Sequence, residues 1–182
     1  MLTRIYNISK IYTWNSSNKS LDIYKNKEIL IENGLICKIS DSVTTSVEKN
    51  IDANQSIVTP GFIDSHTHPI FSGNRSNEYI KRLSGISYDD IKKEGGGILS
   101  SISNTRKTNI DELYNISYLN IKPFIKYGTT TLEAKSGYGL TLDDEIKSLE
   151  VIKKIDSELD IDIVPTFLGA HDIPLEYKNR KH

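Results

Sequence analysis

The stretch GFIDSHTHPIFSG, residues 61–73, decides how the rest of this chain is read. It begins as a β-prone run, Phe62-Ile63, passes an acid, Asp64, and ends in two histidines one residue apart, His66 and His68. Side chains alternate along an extended segment, so both histidines point to the same side. Two imidazoles at one strand exit can converge on a cation, and imidazole suits zinc and iron. A catalytic site of that kind takes three protein ligands and keeps one position open for water. The pair supplies two. It reads equally as two polar residues at a strand end, one hydrogen-bonded and one in water. What separates these readings is whether other polar clusters fall at equivalent places.

Working outward, Asn109 to about Tyr127 reads as a helix. Thr108 or Asn109 caps it, Asp111 and Glu112 suit its first turn, and Gly128 stops it. Pro123 is expected to kink or divide it. A second helix reads from about Leu142 to Leu159, with Thr141 as cap and Asp144 three residues on. Ile146, Leu149, Ile152 and Ile155 recur along it at helical spacing. A β-prone run follows each helix, Thr129–Leu132 and Ile161–Leu168, and Ile57-Val58-Thr59 leads through Pro60-Gly61 into an earlier strand at Phe62-Ile63. Strands alternating with helices are the pattern of a parallel α/β domain. The long segment between Phe71 and Ser103, with Gly73, Gly85 and Gly95-Gly96-Gly97, is the place for a lid, a binding surface or an extra helix, for which Tyr88–Glu94 is the candidate.

On this reading every unusual polar cluster lies at the carboxyl end of a strand. His66 and His68 follow the first, Glu133, Lys135 and Tyr138 the second, His171 and Asp172 the third. In parallel α/β folds that end carries the active site, and the coincidence argues for an enzyme. Tyr138, in the turn Ser136-Gly137-Tyr138-Gly139, is a ligand-contacting hydroxyl or an ordinary loop tyrosine. Glu133 and Lys135 share a strand face and read as an internal salt bridge, although a lysine there can also bridge two metals if carboxylated. His171 reads as a general base, a substrate donor, a third ligand or a buried histidine. Arg75 can clamp a carboxylate through paired hydrogen bonds or sit in solvent. His182 receives no role.

The front of the chain, from residue 2 to about 39, reads as strands of a small antiparallel module. Its clearest signal is Asn33-Gly34 between Lys27–Ile31 and Leu35–Ile39, which specifies a hairpin. Composition narrows the classes. Hydrophobic residues make 37% and charged residues 26% of the 182, which suits a folded chain. A net charge of -1 offers no electrostatic case for nucleic acid or an acidic membrane surface. No stretch approaches a spanning helix, Met1–Lys10 lacks the order of a signal peptide, and a single cysteine, Cys37, suits a reducing compartment. A cytoplasmic protein is expected. The glycine triplet lacks the lysine-hydroxyl sequel of a phosphate loop.

Residues 60–68, PGFIDSHTH, resemble the first-strand signature of the amidohydrolase superfamily. With Phe71–Arg75, Gly95–Ile98, Glu133–Leu140 and Pro165–His171, they are together similar to the imidazolonepropionase family. The resemblance implies a (β/α)8 metal-dependent hydrolase barrel, begun by residues 57–182, with residues 1–56 as the N-terminal portion of a composite β-sandwich. It implies that the parent protein hydrolyses 4-imidazolone-5-propanoate to N-formimidoyl-L-glutamate in histidine degradation. His66 and His68 match metal ligands for one zinc or iron ion, Arg75, Tyr138 and His171 match substrate contacts, and His171 matches a catalytic position. Arg75 is expected to face the propionate, and Lys135 to remain uncarboxylated. The partner implied is a small-molecule substrate, and the resemblance admits a homodimeric parent. A barrel takes about 250 residues, and roughly half that number follows Ser56. The remaining ligands are therefore expected on later strands absent from this chain, which by itself is expected to be inactive and poorly soluble. Other readings are another cyclic amidohydrolase, or a non-catalytic half-domain that assembles with a partner chain.

Overall fold

The computed structural model describes residues 1–177 and resolves two units, Met1–Pro60 and one beginning at Gly61. His182 lies outside the described residues.

The first unit holds seven strands: β1 (Leu2–Tyr6), β2 (Lys10–Asn15), β3 (Ser20–Lys25), β4 (Glu28–Glu32), β5 (Leu35–Ser40), β6 (Lys49–Asp52) and β7 (Ile57–Val58). They form two sheets, in the orders β5-β4-β1-β6 and β3-β2-β7. The hairpin at Asn33-Gly34 is present. Both residues have positive φ, 51° and 85°, as a two-residue turn matched to strand twist requires. The unit is not wholly antiparallel, however, because β6 pairs with β1 and β7 with β2 in parallel. Residues 41–48 carry the chain back from the end of β5, so that β6 starts alongside the start of β1. The β3 strand carries no clean alternation and is paired by a loop in which the Asn15 side chain accepts from the Ser17 and Asn18 backbone N–H groups. Ile8, Ile11 and Ile29 form the core, with Ile5, Ile31, Ile39 and Val58 packed around them, so both sheets contribute. Glu28 fastens the edge of this core. Its Oε2 accepts from Arg4 Nε at 2.8 Å and from the Val43 N–H at 2.7 Å.

The second unit contains β8 (Phe62–Thr67), α1 (Ser76–Leu83), α2 (Tyr88–Lys93), α3 (Ile98–Lys107), α4 (Ile110–Lys126), β9 (Thr129–Lys135), α5 (Leu142–Asp156) and β10 (Asp162–Thr166). The strands form a parallel sheet in the order β10-β9-β8. The result is a mixed α/β chain. Ile57-Val58 and Phe62-Ile63 belong to separate strands, since β7 pairs with β2 and β8 with β9. Between them Pro60 has no N–H to donate. Capping follows the sequence: Asn109 accepts from Glu112 N–H at 2.9 Å to open α4, and Thr141 accepts from Asp144 N–H at 3.2 Å to open α5. Pro123 does not divide α4. It stands in the last turns, and the carbonyl it leaves without a helical partner belongs to Leu119, which is exposed to water. The second helix ends at Asp156, three residues short of Leu159.

The core of this unit lies between the sheet and α4–α5. Leu113 and Ile121 from α4, Val151, Ile152 and Ile155 from α5, and Leu132, Ala134 and Ile163 from the strands are all buried. Each large aliphatic side chain there contributes about 1.5–3 kcal/mol. The expected helix at Tyr88 is α2, and α1 and α3 flank it. Lys147 ties α3 to α5, donating to the carbonyls of Thr105 and Thr108 at 3.0 Å and to Asp144 at 2.8 Å. This anchorage at the C-terminus of α3 is favourable both as hydrogen bonding and with the helix dipole.

Candidate metal and substrate site

The three parallel strands end side by side, and the segments that leave them bring the polar clusters together. At the end of β8 the Thr67 side chain is buried, and its hydroxyl donates to the Glu133 carbonyl, clamping β8 to β9. His66 and His68, on either side of it, turn toward each other, with their Nε2 atoms 3.3 Å apart. Two imidazole nitrogens at about 2.0–2.1 Å from one tetrahedral ion stand about 3.3–3.4 Å apart, so the spacing fits a shared cation. Burial pushes the His68 imidazole below its ordinary pKa, and its neighbours His171, His66 and Lys135 act in the same direction. The neutral form so favoured is the one that binds metal. His68 Nδ1 is buried without a hydrogen-bond partner. Among the described residues no group of three or more His, Cys, Asp or Glu is placed to hold a metal. The pair thus fits as two ligands of a larger set.

Glu133 and Lys135, at the end of β9, form the internal ion pair, 2.6 Å apart. The Thr166 hydroxyl of β10 donates to the same Glu133 oxygen at 2.7 Å. The hydrogen bond from Lys135, followed by that from Thr166, holds the Glu133 carboxyl below the usual carboxylate range. Its Oε2 is buried and unpartnered.

His171 stacks on His68, ring centres 5.0 Å apart, and meets Tyr138 edge-on at 5.3 Å. Phe71 packs on Tyr138 at 5.7 Å. His171 Nδ1 lies 2.9 Å from the Gly137 carbonyl oxygen. A carbonyl only accepts, so Nδ1 carries the proton, which leaves Nε2 for a ligand. Burial raises the Tyr138 phenol above its ordinary pKa, and its hydroxyl stays protonated at neutral pH. Arg75 stands outside the ring cluster, at the N-cap of α1, with Nε donating to Glu78 at 2.9 Å. It nevertheless lines, with Tyr138, Phe71 and Arg82, a cavity of about 480 Å³. His66, His68, Tyr138 and His171 are therefore one cluster, and Arg75 reaches it through the cavity wall. Asp172 is turned away, in an ion pair with Lys92 at 3.5 Å.

Two residues that the sequence alone does not single out, Ser136 and Glu145, build this place. Ser136 is fully buried and joins two strand exits: its N–H donates to the Thr166 carbonyl at 3.0 Å and its Oγ accepts from Leu168 N–H at 2.9 Å. Glu145 is 2% exposed and accepts from three backbone N–H groups, those of Gly137, Gly139 and Leu140, at 2.9, 2.9 and 2.8 Å. In the sequence it is one of three acids opening α5, Asp143, Asp144 and Glu145, and nothing but its place just after Gly137–Leu140 sets it apart.

Comparison with known proteins adds a sequence likeness and a fold likeness. No family model matches the chain. It is 43% identical over 176 residues to the imidazolonepropionase of Aliivibrio fischeri, spanning 95% of this chain and 43% of that protein. It is 42% identical over 182 residues to the imidazolonepropionase of Thermoanaerobacter pseudethanolicus, spanning 96% and 44%. The chain therefore spans less than half the length of the curated relatives it matches. Among solved structures, an Arthrobacter aurescens atrazine chlorohydrolase complexed with zinc and atraton superposes with a TM-score of 0.60 at 16% identity, covering 90% of this chain and 35% of that one. A metal-dependent hydrolase from Pyrococcus furiosus superposes with a TM-score of 0.56 at 13% identity, covering 92% and 50%. At such identities these structural likenesses concern the fold alone.

Proposed function

From the premise that this chain belongs to the imidazolonepropionase family, we propose that it carries part of the active site of a metal-dependent hydrolase. That enzyme opens the cyclic amide of 4-imidazolone-5-propanoate to N-formimidoyl-L-glutamate in histidine degradation. The observation that carries this reading is the convergence of His66, His68, Tyr138 and His171 at neighbouring strand exits. A zinc or iron ion held by His66 and His68, with further ligands from outside the described residues, would supply a water of lowered pKa.

The remaining chemistry is assigned to this chain's own side chains. His171, whose Nδ1–H donates to the Gly137 carbonyl, acts in this proposal as the imidazolium, so that Nε2–H donates to the substrate's ring carbonyl oxygen and stabilises charge developing there. The Tyr138 hydroxyl is a protonated donor aimed at the same substrate. Arg75, pinned through Nε by Glu78, keeps its terminal nitrogens for the propionate carboxylate. Lys135 acts as the cation that neutralises Glu133. In the same proposal residues 57–182 are the first part of a (β/α)8 barrel, and residues 1–56 contribute to a composite β-sandwich. The working compartment is the cytoplasm.

A chimera tests the proposal. These 182 residues replace the matching segment of the T. pseudethanolicus protein, and ring opening of 4-imidazolone-5-propanoate is followed together with metal content. The expected result is metal-dependent turnover that disappears in His66→Ala and His68→Ala. A folded, metal-loaded chimera that opens other cyclic amides but leaves this substrate intact would overturn the assignment.

A further inference from the structure

We infer that Glu145 is a positioning residue of this site, whose buried carboxylate holds the 137–140 loop and thereby sets where Tyr138 and His171 stand. The functional meaning rests on the reading of those two side chains as substrate contacts; the geometry does not. Glu145 lies in the first turn of α5, where an acid ordinarily serves its own helix. Its three partners instead precede the helix and surround Tyr138: Gly137 on one side, Gly139 and Leu140 on the other. Gly137 then passes the constraint on. Its N–H is held by Glu145 and its carbonyl accepts from His171 Nδ1 at 2.9 Å.

The loop needs holding. Gly137 has φ +108°, and a Cβ there would stand 3.0 Å from His171 Nδ1, so backbone and ring are in close approach. Leu140 has φ 56°, a left-handed conformation that a branched side chain rarely adopts, and its N–H is one of the three fixed by the carboxylate. Glu145 is 2% exposed, and no lysine or arginine pairs with it among the described residues. Both of its oxygens are satisfied by backbone N–H groups, the same groups that define the loop.

The test uses the full 182-residue chain and needs no turnover, so its failure and that of the hydrolase reading are distinguishable. Glu145→Gln keeps the shape but replaces one accepting oxygen with a donor, so either Gly137 or the Gly139–Leu140 pair loses its acceptor. Amide hydrogen exchange at these three residues is measured with Overhauser contacts between the Tyr138 and His171 rings, and amides in β9 and the middle of α5 report stability. Losing one hydrogen bond is expected to speed exchange about tenfold at the affected amides and to weaken the ring-to-ring contacts, with the control amides unchanged. A purely structural acid would shift all amides together and leave the ring contacts intact, which would overturn the inference. Should the variant fail to fold, the unsubstituted chain decides. Slow exchange at Gly137, Gly139 and Leu140 supports the inference, and fast exchange at Gly137 sinks it.

Discussion

A methyl group on Gly137 would stand 2.9 Å from the Leu168 carbonyl oxygen and 3.0 Å from the His171 ring. The same methyl on Gly34 would meet nothing within 4 Å. Both glycines have positive φ, so the comparison separates conformational strain from collision. Gly34→Ala is expected to cost about 1 kcal/mol in denaturant unfolding, and Gly137→Ala about 2–3 kcal/mol, because the neighbours must also move. Glu145→Ala is expected to cost about 3 kcal/mol, since three buried donors lose their acceptor together. In the chimera, Tyr138→Phe removes one donor and is expected to lower kcat about 10²-fold with little change in metal content. The placing of the histidine pair and Tyr138 at strand exits was legible in the sequence, because the β-prone runs before them and the glycine-flanked turn are local signals. Glu145 was not, since its role depends on the loop folding back over the helix start, a contact that first-turn acids share no sequence signal for.

At the scale of elements, periodicity and caps located α4, α5, β9 and β10 with few errors. Two misreadings have physical causes. Pro123 reads as a residue that kinks or divides the helix, yet a proline near a helix end whose lost acceptor is exposed does not divide it. The parallel pairs β1–β6 and β2–β7 depend on where a crossover returns, which alternation in a short strand does not encode. Ile121, fully buried between α4 and the sheet, tests the packing: Ile121→Ala is expected to cost about 2–4 kcal/mol.

Glu28 tests the first unit. Hydrogen bonding to Arg4, with help from the Val43 N–H, holds its carboxyl below the usual range. A carboxyl lowered by folding stabilises the folded form above its unfolded pKa and loses that contribution as pH falls through the folded value. Unfolding of the first unit is therefore expected to become easier as pH drops below about 4.3, and less steeply so in Glu28→Gln, as followed by denaturation at stepped pH.

At the scale of the whole molecule, the sheet of the second unit has unequal faces. Leu132, Ala134 and Ile163 are covered by helices, whereas Ile63 and Val164, in register with Thr131 and Glu133, are 73% and 53% exposed. An apolar dye is expected to bind the 182-residue chain and, on the proposed barrel reading, to lose that binding in the chimera; equal fluorescence from both would contradict this. That the chain matches only part of its relatives was expected from length, since a barrel takes about 250 residues and roughly half that number follows Ser56. Which residues face outward was not, because exposure of an isoleucine is decided by what lies beyond the sheet.

The order β10-β9-β8 has a consequence for synthesis. β9 pairs with β8 and β10 with β9, and the helix translated before each of these two strands, α4 and then α5, packs on the sheet. A nascent chain can therefore set the two histidines against β9, seat Tyr138, and dock His171 last, growing from one edge only. Among the described residues no segment emerging from the ribosome has to thread between strands already joined.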